Sequence, residues 1–171
     1  MHGLVLAVEC TRGMHNFDVF SRFYEGELSS VRTGHNFDRN TIEQTLKYST
    51  LNNIERRLGN AMLKFNTTYI VVFKRGDVHT LKHELAHARY HIDAEYRFKI
   101  DKLWRELTRK QQTTIVGFLN RCGYPPHVHM DEFQAYATTE KSNFFGVYID
   151  GLNNLNKKVF PHKRISLREL V

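Results

Sequence analysis

A chain of 171 residues, 41% hydrophobic and 25% charged, is long enough to bury one core of its own and too apolar to read as a disordered polymer. Two distant cysteines, Cys10 and Cys122, form no CxxC pair, which argues against a disulfide framework or a thiolate zinc site and for a reducing compartment. The formal charge of +7 leaves room for an acidic partner, nucleic acid included, through 97–110 and 156–168, although a solvated helix face and a basic tail explain both stretches as simply. No run approaches the roughly 20 apolar residues of a membrane span, and the opening "MHGLVLAVEC" has no basic lead, so the expectation is a cytoplasmic protein with nuclear access and no membrane partner.

In chain order, "GLVLAVEC" predicts a first strand, and "FYEGELSSVRTG" (23–34) a hairpin or meander. The string HNFD occurs at 15–18 and at 35–38 with no similarity beyond it, and is read as coincidence. From Asn40, a candidate N-cap with Glu43 in capping-box spacing, apolar residues at helical intervals predict a helix of several turns. "TTYIVVF" (67–73) predicts a buried strand ended by "KRGD". Leu81, Leu85, Ala88, Ile92, Tyr96, Leu103 and Leu107 then recur at threes and fours, which predicts one continuous helix over 79–107. Thr108 with Gln111 and the stop at Gly123 bound a further helix. "YPPHVHM" interrupts, and "DEFQAYATTEK" resumes helical character.

Within the long helix, "HTLKHELAHARYHID" (79–93) places His83 and His87 one turn apart, opposite the stripe of Leu81, Leu85, Ala88 and Ile92. Two stacked imidazoles on one helix face can bind a single ion, whereas His79 and His91 drift off that face. Glu84, about 100° further round, stands beside the ligands, where a general base takes a proton from a metal-activated water.

With these spacings "HELAH" (83–87) resembles the zincin metallopeptidases, and the resemblance implies His83 and His87 as zinc ligands and Glu84 as catalytic base. The third ligand is open. A metzincin turn would need glycine where Tyr90 stands, which leaves Asp93 or His91 as weak candidates. "DEFQAYATTE" (131–140) is similar to the gluzincin arrangement, in particular to lethal-factor and MtfA-type peptidases, and makes Glu132 the preferred ligand, with the small Ala135 letting its helix approach. His127 and His129 remain alternative ligands, and Asp131 and Glu132 could simply favour a helix N-terminus. Tyr124, Tyr136, His127 and His129 are all candidate donors to an oxyanion, with Tyr124 and Tyr136 carried forward as catalytic candidates.

The resulting expectation is an α+β, single zincin-like domain over 1–155, with a small N-terminal β-rich sheet, an active-site helix and a C-terminal helical part, followed by a basic tail at 156–171. Its activity would be Zn2+-dependent hydrolysis of a peptide or protein substrate, with "TTYIVVF" pairing with extended substrate if it is an edge. The alternatives are a DNA-associated protease resembling SprT-type proteins, whose later histidine pattern is missing here, and a non-catalytic metal- or nucleic-acid-binding module.

Overall fold

The computed structural model describes residues 4–25, 33–150, 152, 155 and 160–171. It is an α+β fold built on one four-stranded mixed sheet in the order β2-β3-β1-β4. Strand β1 (Val5–Cys10) lies parallel to both β3 (Tyr69–Lys74) and β4 (Lys163–Ser166), while β2 (Gly34–Asp38) runs antiparallel to β3. β1 and β3 are apolar almost without alternation because helices cover both faces of the sheet.

Successive side chains still divide between two cores. Leu6, Val8, Ile70 and Val72 face α1 (Asp18–Glu25), α2 (Arg39–Tyr48) and α3 (Asn53–Leu63), joining Phe20, Ile42 and Met62. Val5, Ala7, Tyr69, Val71 and Phe73 face the other way, onto Leu81, Leu85 and Ala88 of α4 (Val78–Ile92). A slip of one residue in β1 would exchange the two sets, so the burial on both sides fixes the register. A third core joins α5 (Ala94–Glu106), α6 (Arg109–Cys122) and α7 (His129–Thr139) through Tyr96, Ile100, Leu119 and Phe133.

Several sequence-based expectations need correction. The helix read over 79–107 is two, broken at Asp93, which ends α4 and caps α5 by accepting from Tyr96 N at 3.0 Å. The apolar spacing runs through the break unchanged, but its first half packs on the sheet and its second half on the helical core. The helix expected from Asn40 is likewise two. Asp38, not Asn40, caps α2, and Asn52 opens α3 with a capping box to Glu55.

"TTYIVVF" is an interior strand, held by β2 on one side and β1 on the other, so it offers no edge to a substrate. The segment read as a basic tail supplies β4 and the short α8 (Leu167–Leu170), so the sheet takes strands from both ends of the chain. Of the hairpin read over 23–34, the first three residues belong instead to the end of α1 and Gly34 opens β2, while 26–32 lie outside the described residues. Among the described residues, no helix is long and apolar enough to cross a membrane.

β2 and α4 meet closely at Gly34. A Cβ there would stand 2.3 Å from Glu84 Oε1 and 2.5 Å from Thr80 Cγ2. Gly34→Ala should therefore cost about 1–3 kcal/mol by overpacking, read as a lowered urea midpoint with unchanged slope. A parental midpoint would mean that the two elements yield more than the packing suggests.

Candidate metal centre

α4 starts where Asp77 accepts from the backbone of Thr80 at 2.9 Å and from its hydroxyl at 2.7 Å. The sheet takes the helix's leucine face, and α7 packs against it on another side. Ala135, fully buried in α7, has the small side chain that such a close approach needs.

His83, His87 and Glu132 come together between these two helices, each offering a ligand atom within 4.8 Å of the others. The two Nε2 atoms are 3.2 Å apart. Glu132 Oε2 lies 3.9 Å from His83 Nε2, and Glu132 Oε1 lies 3.8 Å from His87 Nε2. Two nitrogens bound tetrahedrally at zinc distances would stand about 3.4 Å apart, so the imidazoles fit, and the carboxylate would have to move closer to them. Two histidines and a glutamate also form a donor set that leaves a fourth position open.

His87 Nδ1 faces away from this cluster and lies 2.8 Å from Asp131 Oδ1, a close ionic contact that falls short of a linear hydrogen bond. A carboxylate there fixes the ring and leaves Nε2 directed at the ligand position. Burial first, and the charge of His87 next, hold the His83 imidazole well below the ordinary histidine range. Burial opposes charge on His87 too, but Asp131 and then Glu132 outweigh it and raise that imidazole well above the range. An ion that takes both Nε2 atoms needs both of them free of protons, so binding should weaken as pH falls.

Glu84 is 6% exposed, and its Oε2 accepts from Asn36 Nδ2 of β2 at 2.8 Å. The Tyr136 ring lies against His83, centroids 4.6 Å apart, and its hydroxyl meets that of Tyr124 at 3.1 Å. Burial, with a further contribution from Glu132, pushes the Tyr136 phenol up to about 12, so it keeps its proton. Tyr136 therefore borders the cluster, and Tyr124 reaches it through Tyr136.

The remaining candidates lie outside the cluster. Asp93 is the helix cap already described, and His91 sits 3.7 Å from Asp38 with its ring against Tyr69. His129 bonds to the carbonyl of Tyr124 at 2.9 Å, and His127 occupies the 3-10 turn Pro126–Val128. His79 pairs with Glu140 at 2.7 Å. Among the described residues, no other group of three such side chains converges in this way.

Two contributors escaped the sequence reading. Asp131 reads in the sequence as a helix-dipole residue, yet a carboxylate next to a candidate ligand is a signal, because a ligating histidine needs a partner on its other nitrogen. Asn36 gives no such signal, since it comes from a strand 48 residues before Glu84. A cleft of about 100 Å³, lined in part by Asn36, Tyr69, His91 and Asp131, borders the partners of both Glu84 and His87. Comparison with protein families, with curated proteins and with solved structures yields no match to this chain.

Proposed function

We propose that this protein is a zinc-dependent metallopeptidase of the zincin type, with His83, His87 and Glu132 as its ligands. The convergence of these three side chains within 4.8 Å, from two helices, carries the reading. When bound, zinc supplies Lewis-acid polarisation of a peptide carbonyl and lowers the pKa of a coordinated water to about 7.

The chain's own groups do the rest. Glu84 accepts the proton of the attacking water on its carboxylate and passes it to the departing amine. Its burial and the bond from Asn36 hold it in place for both transfers. Tyr136, still protonated and packed on His83, is the nearer of the two tyrosines to the ligands and is the proposed donor to the developing oxyanion, with Tyr124 orienting its hydroxyl. Asp131 holds His87 in the tautomer that presents Nε2. The substrate is a peptide or protein, and the working compartment is the cytoplasm, in keeping with free Cys10 and Cys122.

The test is metal analysis of the purified protein together with turnover of an unstructured protein substrate, with and without DNA. The expected result is about one zinc per chain, and cleavage that a chelator removes and added zinc restores. Stimulation by DNA would point to the DNA-associated version of the same chemistry. Protein that binds no zinc, or binds it and cleaves nothing, would overturn the peptidase reading.

A further inference from the structure

We infer that Asn36 is the positioning residue of Glu84, and that Tyr69 anchors the far side of the Asn36 amide. The kinetic consequence rests on the peptidase reading above, whereas the contact stands without it. Asn36 Nδ2 donates to Glu84 Oε2 at 2.8 Å, and the Tyr69 hydroxyl donates to Asn36 Oδ1 at 2.6 Å. An amide can face either way, but the opposite orientation would set Oδ1 against a carboxylate oxygen with no proton between them. The carboxylate therefore selects the orientation, and the Tyr69 hydroxyl, able to donate or accept, anchors the other side of the amide by donating to Oδ1. Tyr69 belongs to the interior strand β3 and is 4% exposed, so this anchor is itself held by packing.

Gly34 completes the arrangement from the same strand. Two residues before Asn36, it lies on the same face of β2 and leaves open the space that Glu84 Oε1 occupies. β2 thus holds one carboxylate oxygen by a donor and leaves room for the other at Gly34. Glutamate has three side-chain torsions, and on a helix surface it would sample several rotamers. A base that receives a proton at one point and delivers it at another works faster if it is held in one of them.

The experiment compares N36A, N36D and Y69F with the parent. In the zinc-loaded protein, kcat for a peptide substrate should fall about tenfold in N36A, the size typical of a lost outer-shell partner. N36D should fall further, because a like charge then faces Glu84, and Y69F should fall less. KM and zinc content stay at parental values, and N36A adds nothing in an E84Q background. The second readout needs no activity: urea unfolding of metal-free parent, N36A, E84A and the double variant should give non-additive losses.

Parental kcat in N36A, or additive losses in the unfolding cycle, would overturn the inference. Should the zinc-loaded parent cleave no peptide, the peptidase reading fails, and the metal-free cycle alone decides whether Asn36 holds Glu84. If N36A does not fold, Y69F carries the kinetic comparison and N36D takes its place in the cycle.

Discussion

Glu84→Gln should retain its zinc and lose peptide hydrolysis by at least ~10², the lower range for a missing general base. The substitution keeps the shape of the side chain and an oxygen that can still accept from Asn36 Nδ2. It removes only the capacity to take a proton. Because Glu84 lies outside the three converging ligand atoms, its charge is not needed to hold the ion. Single-turnover measurements on zinc-loaded protein would check this, with metal content measured on the same sample. Parental turnover would remove Glu84 from the chemistry, and a loss of zinc would make it a ligand instead.

The second large effect concerns the ligands. His83→Ala, His87→Ala and Glu132→Ala should each weaken zinc binding beyond the roughly 10–100-fold that an outer-shell partner costs, while Asp131→Ala should fall inside that range. Asp93→Ala, His91→Ala, His127→Ala and His129→Ala should bind like the parent, because each of those side chains is engaged elsewhere or lies outside the cluster. Competition against a calibrated chelator ranks the series, and thermal unfolding shows that each variant is folded. Parental affinity in Glu132→Ala would remove the third ligand and leave the two histidines as a site of another kind.

The candidate site was legible where its geometry is local. His83 and His87 share one helix face by spacing alone, and the helix that carries Glu132 begins close to where its sequence suggested. The break at Asp93 was not legible, because an aspartate can sit in an exposed helix turn as well as cap one, and the apolar spacing continued through it. Asn36 and Tyr69 were hidden for a different reason. Their roles depend on β2 pairing with β3 beneath α4, and no local pattern in either strand encodes that pairing. The same holds for β4, whose "KRIS" reads as a charged tail until β1 is beside it.

That last pairing also has a temporal side. β4 aligns Lys163 with Leu6 and Ile165 with Val8, so one flank of β1 waits until Lys163–Ser166 has been made. At about 5–20 residues per second, translation leaves that flank open for on the order of ten seconds. An apolar strand with unpaired backbone groups is a template for the wrong partner throughout that interval. Early pairing with β3, available once Lys74 has emerged, covers the other flank. Completion of the sheet is then a late, long-range pairing, of the kind that slows folding relative to local contacts.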